Sequence, residues 1–166
     1  MRIAIEEAPK KAFASALDWP GWSRSAKTGD AAVGTLLAYA DRYRPVVARA
    51  GLTPPLPHET EIVDRQPGDM TTQFGAPGQI HAVEYAPLDG KELARQVALL
   101  TACWETFFEV AARVTPELRK GPRGGGRDRD AIIAHLVESD RSYARHLGVA
   151  TKPFSLNPLD RDAFAA

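Results

Sequence analysis

Apolar residues change their spacing at Pro87, and this switch constrains the fold of the 166-residue chain more than any other feature. Before it, apart from one helical stretch over residues 30–50, apolar runs are short, alternate with polar residues and break at Pro and Gly, as strands do. After it, apolar side chains return every third and fourth position, as on the buried face of a helix. Residues 2–7, RIAIEE, alternate, and KAFASALDW from Lys11 repeats the pattern with Phe13, Ser15 and Leu17 on one face. The APK between them suits a hairpin turn. Pro20 and Gly21 end the second strand. From Asp30 to Ala50 the residues Val33, Leu36, Leu37, Ala40, Tyr43 and Val47 take helical spacing, with Asp30 expected as N-cap and Gly51 as stop.

GLTPPLPHET, residues 51–60, holds too much proline for a helix or a central strand and reads as an extended connector. TEIVDRQ, MTTQF and IHAVEYA follow as three strand-like runs separated by the turn-forming PGD and GAPGQ. Past Pro87, Asp89 and Glu92 have the spacing of a capping box. Leu93, Val97, Leu100, Trp104, Phe107, Ala111 and Val114 then predict a long core-facing helix, ended by Pro116. A last helix is expected from about Asp128 to Leu147, closed by Gly148, and Phe154, Leu156, Leu159 and Phe164 of the tail are expected to pack back on the body. The expectation is an α+β protein. A small antiparallel sheet with a crossing helix occupies residues 1–86, and a helical hairpin of two long helices with a C-terminal tail occupies 87–166, together forming one compact unit.

Bulk composition narrows the partners. An apolar fraction of 44% and a charged fraction of 25% belong to a folded globular chain. Lys and Arg number 21, as do Asp and Glu, so no net charge draws the molecule onto nucleic acid or an anionic membrane. A small molecule or a protein is the expected partner. No uncharged apolar run approaches the roughly 20 residues of a membrane helix, and MRIAIEEAPKK lacks the apolar length of a signal peptide. Cys103 is the single cysteine, which fits a small buried side chain in a reducing cytoplasm.

KGPRGGGRDRD, residues 120–130, sets glycines ahead of a helix as a phosphate cradle does. Asp128 and Asp130 occupy the place of the anion, however, and acids there serve as cap and dipole partner, so a helix entrance is the favoured reading. Arg119, Lys120, Arg123 and Arg127 keep an anion or nucleic-acid patch as the alternative. Among the four histidines, His135 and His146 are some 16 Å apart along a helix at 1.5 Å per residue and cannot share an ion. His135 and Glu138, at i and i+3, form half of a site for a divalent transition metal, with a third ligand to come from elsewhere. No GxSxG, paired CxxC or HExxH signature occurs, and no cofactor is expected apart from that metal. Trp19 and Trp22 flank Pro20 and Gly21, either lining a pocket or sealing the corner between sheet and helix. Together with His81, Glu84, His135 and Glu138 they are the candidates for a binding cleft between sheet and helices.

Two segments carry family patterns. DWPGWSRSAKTGDAAVGTLLAYA, with Asp18, Pro20, Gly21, Thr28 and Ala32 at the matching places, resembles the first segment of HicB-type antitoxins over roughly the first 50 residues. The resemblance implies a strand, a tight turn and a helix packed across the sheet. RGGGRDRDAIIAHLVESDRSYARHLG resembles a helix of DinB-like four-helix-bundle proteins, with His135 at the histidine position. That resemblance implies a divalent metal held by histidines from separate helices and a transferase or hydrolase activity. The helix from Leu88 carries no histidine, so the functional expectation is a non-catalytic binding or regulatory protein, with a metal enzyme using His135 and Glu138 as the alternative.

Overall fold

The computed structural model describes residues 1–53, 59–121 and 124–150. Strands β1 (Arg2–Ala8), β2 (Lys11–Ala16) and β3 (Ser23–Ala26) form an antiparallel meander, and β4 (Glu61–Pro67) adds beside β1 in parallel, giving the order β3-β2-β1-β4. The sheet is therefore mixed, whereas an antiparallel one was expected. The long excursion through helices α1 (Gly29–Ala38) and α2 (Ala40–Arg49) returns the chain in the same direction as β1, as parallel pairing requires.

Alternation fails on β1 for a physical reason: Ile3, Ala4, Ile5 and Glu6 are all at most 2% exposed. Ile3 and Ile5, opposite Ala16 and Ala14 across the β1–β2 ladder, pack into one core with Ala32 and Leu36 of α1 and Val46 and Val47 of α2. The other face turns Glu6 toward α3 (Met70–Phe74), whose Thr72 hydroxyl donates to it. A strand covered on both sides loses its polar-out signature.

Four local expectations change. The helix expected over 30–50 is two, parted at Tyr39, so that α2 can bury Tyr43, Val46 and Val47. Thr28, not Asp30, is the N-cap of α1, its hydroxyl accepting from the Ala31 amide at 3.3 Å, while Asp30 pairs with Arg65. MTTQF is a helix, because the Asp69 carboxylate accepts from the Thr71 and Thr72 amides at 2.7 and 3.2 Å and outweighs the strand preference of its threonines. IHAVEYA likewise forms a short 3-10 turn, Ala82–Tyr85, leaving β4 as the only strand of the three runs.

The two long helices expected after Pro87 are α4 (Gly90–Arg113) and α5 (Arg129–His146). The chain divides into two compact units, Met1–Thr106 and Phe107–Ala166, so α4 contributes to both. In the first unit α4 buries Leu99 and Ala102, at 1% and 2% exposure, whereas Leu93 and Val97 of the expected seam are each 54% exposed. The seam holds in the second unit, where Phe107, Phe108 and Ala111 pack with Ile133 and Val137 of α5. The PPLP stretch, His58 and the tail from Thr151 lie outside the described residues. No described helix is long and apolar enough to cross a membrane.

Candidate functional site

The corner between β2 and β3 is built by one salt bridge and two aromatic contacts. The Asp18 carboxylate accepts from the Arg2 amide at 2.7 Å and from Arg2 Nε at 2.8 Å, closing the end of the β1–β2 hairpin. Pro20 and Gly21 turn the chain there, Gly21 taking a φ of 89° that other residues resist. Trp22 donates from Nε1 to the Leu36 carbonyl at 3.0 Å and stacks on Tyr43 at 5.3 Å, while the Tyr43 hydroxyl donates to the Pro20 carbonyl at 2.7 Å. Burial pushes that phenol up to about 12. Trp19 meets Tyr43 edge-on and carries the Arg95 guanidinium 5.2 Å above its ring. Both tryptophans thus seal the corner, the second of their two expected roles.

Arg95 straps α4 to this corner. Its Nη2 donates to the Asp18 carbonyl at 2.6 Å, and its fork holds Glu92 through bonds of 2.8 and 2.7 Å. Glu92 is drawn down to about 2, first by those Arg95 bonds and with a smaller contribution from the nearby charge of Arg2. Asp89 accepts from the Glu92 amide at 2.7 Å, capping α4 as the sequence spacing implies, although the Glu92 side chain turns to Arg95.

Below the strap lies a cavity of about 510 Å³ inside the first unit. Leu17 and Pro20 from the corner and Val83 and Leu88 from the segment around the 3-10 turn give it an apolar wall. Its polar groups are Arg2, Glu84, Asp89, Glu92 and Gln96. Of these, Arg2 and Glu92 already have ionic partners in Asp18 and Arg95. Glu84 accepts the His81 amide at 2.7 Å. Of these residues the sequence offered Glu84 alone as a cleft candidate, and Asp89 and Glu92 only as a capping box. Arg2, Glu92 and Gln96 were hidden because their roles depend on the turn at Pro20 bringing α4 to the sheet corner.

Behind the cavity wall His81, 3% exposed, is held by its Nδ1 between Asp64 Oδ2 at 2.9 Å and Gln66 Nε2 at 3.1 Å. Asp64 is held below the usual carboxylate range by Gln66 and then by His81. Glu6, 2% exposed, anchors the loop leading to His81 by accepting from Thr72 Oγ1 at 2.8 Å, the Gly78 amide at 3.0 Å and the Gln79 amide at 2.9 Å. The alternating pattern of residues 2–7 did not single out Glu6.

His135 and Glu138 belong to the second unit. His135 is exposed, and Glu138 pairs with Arg141 at 3.0 Å and Arg145 at 3.1 Å. Among the described residues no group of three or more His, Cys, Asp and Glu side chains is arranged to hold a metal ion. The glycine run closes on itself through bonds from the Gly121 amide to the Gly125 carbonyl, at 2.7 Å, and from the Gly124 amide to the Gly121 carbonyl, at 2.9 Å. Positive φ values of 72° and 125° at Gly124 and Gly126 explain why glycine stands there. Asp128 is the N-cap of α5 by position, but its carboxylate accepts from the Leu118 amide and from Lys120 Nζ instead of the helix amides. Those bonds hold it below the usual carboxylate range. Lys120 is thus engaged, Arg119 and Arg127 are exposed, and Arg123 lies outside the described residues.

No protein-family model, curated protein or solved structure matches this chain.

Proposed function

We propose that this protein is a non-catalytic binding protein whose site is the cavity between the sheet corner, the 3-10 turn and the start of α4. The observation that carries this reading is the cavity itself: about 510 Å³ falls within the roughly 300–1,000 Å³ of small-molecule sites, and half of its wall is apolar. Its frame is stiff. The Arg2–Asp18 and Arg95–Glu92 pairs fix the two sides, and Arg95 ties them together at the Asp18 carbonyl. A preformed cavity costs a ligand little ordering.

A binding role is favoured because the described lining carries no His, Ser, Thr, Cys or Lys, and of its three carboxylates Glu92 is bound by Arg95 while Glu84 and Asp89 each hold a backbone amide. Cys103 is a half-buried thiol whose burial pushes its pKa up, which suits a protein kept in a reducing cytoplasm. The HicB-like reading of the first 50 residues is supported only at the level of scaffold: Asp18, Gly21, Thr28 and Ala32 act as hairpin clamp, turn, cap and core contact. The metal-enzyme alternative through His135 and Glu138 is not favoured, since two guanidinium groups compete for the Glu138 carboxylate.

A fragment screen by amide chemical shifts tests the proposal, with Ala86→Trp as the blocking variant because Ala86 lines the cavity and is exposed. Fragments that shift the amides of Val83, Leu88 and Gln96, and lose that effect in the folded variant, are the expected result. Fragments that bind equally well to the blocked protein would remove the cavity as the site.

A further inference from the structure

Resting on the cavity just described, we infer that its ligand is a small organic cation: an apolar body of a few carbons bearing a protonated amine. The apolar wall of Leu17, Pro20, Val83 and Leu88 sets the body, and the balance of charge sets the head group. Arg2 is matched by Asp18, and Glu92 by Arg95, each with contacts of 2.7–2.8 Å. Those four charges cancel in pairs. Glu84 and Asp89 remain, each accepting one backbone amide, from His81 and from Glu92, both at 2.7 Å, with no cationic side chain bonded to either among the described residues. A carboxylate that spends one oxygen on an amide keeps lone pairs on the other.

The net charge of the lining is consequently negative at neutral pH, and it adjoins an apolar surface that water solvates poorly. An ammonium group supplies what the two acids lack and orients the ligand with its carbon body against the wall. Anions meet the opposite situation, because the lining's guanidinium, Arg2, is already held by Asp18. Both acids are solvent-exposed, so the attraction is screened and the affinity is modest, while the preference between charge types persists.

Three probes that share a phenethyl body and differ in the head group separate the possibilities: 2-phenylethylammonium, 3-phenylpropionate and 2-phenylethanol, titrated at low salt while the amides of Val83, Glu84 and Gln96 are followed. The expected result is that the ammonium binds at least about tenfold more tightly than the carboxylate, with the alcohol between them. The Glu84→Gln, Asp89→Asn double variant, which retains an acceptor for each backbone amide, is expected to bring the ammonium down to the alcohol's affinity. Equal binding of all three, or a preference for the carboxylate, overturns the cation assignment while leaving the cavity as a binding site. Failure of every probe to shift a cavity amide at millimolar concentration removes the cavity and the cation together. The wild-type comparison needs no variant, so it decides the matter even where the double variant does not fold.

Discussion

Glu6 and the Glu84–Asp89 pair are acids of the same compact unit, and their surroundings differ in one respect. Glu6 is buried and takes three donors, two of them backbone amides, so its charge is spent on holding the loop that leads to His81. Glu84 and Asp89 are exposed and take one amide each beside the cavity. Negative charge in this protein thus serves as an internal fastener in one place and is left open in another. The difference separates acids the fold needs from acids available to a ligand.

The sharpest way to break that contrast is Glu6→Ala. The buried Thr72 hydroxyl and the part-buried Gly78 and Gln79 amides would lose their acceptor, and at about 1–3 kcal/mol for a buried unsatisfied group, less for the two amides nearer solvent, the expected loss of stability is about 2–4 kcal/mol. Urea denaturation measures it, and amide exchange at Gly78 and Gln79 is expected to accelerate in step. A loss under about 1 kcal/mol would mean that Glu6 is no fastener. Thr72→Val is milder: it removes the hydroxyl that donates to Glu6 and accepts from the Asp69 amide at 3.0 Å but keeps the volume and both backbone donors. About 1–2 kcal/mol is expected in the same assay.

Glu92 stands between the two kinds of acid, since it lines the cavity yet is bound by Arg95. Its pKa falls from 4.5 to about 2 in the folded protein. A lowered folded pKa means that the charged form stabilises the fold: the contribution is complete above about 4.5 and disappears as the pH drops toward about 2. The stability difference between wild type and Glu92→Gln is therefore expected to stay level from neutral pH down to that upper bound and to shrink below it. With the side chain 35% exposed, the effect is smaller than at Glu6. A difference that does not change with pH would show that the Arg95 pair adds no net stability.

The sequence makes the class of fold readable because periodicity reports which residues face a core, and the switch at Pro87 survives as the start of α4. It misleads where two surfaces compete for one element. Glu6 breaks the alternation because β1 is covered on both sides. On α4 the three-four spacing from Leu93 to Val114 predicts a single buried stripe, yet Leu99 and Ala102 face the core of the first unit, because Arg95 fixes the rotation of the helix against Asp18. The cavity was readable only at Glu84, since Arg2 and Gln96 are brought to it by contacts 77 residues apart along the chain, as between Arg95 and Asp18. A one-dimensional pattern holds no record of such a contact.

The smallest expected effect is the one that sharpens the comparison most. Glu84→Gln and Asp89→Asn each keep an oxygen for the backbone amide that the acid now accepts, and Asn caps a helix about as well as Asp. If these acids are open, replacing them separately is expected to shift the stability by less than about 0.5 kcal/mol, in the range of ordinary surface substitutions. A loss above about 1 kcal/mol at either position would place that acid with Glu6 as part of the scaffold. The cavity would then have to recognise its ligand by shape and apolar contact alone.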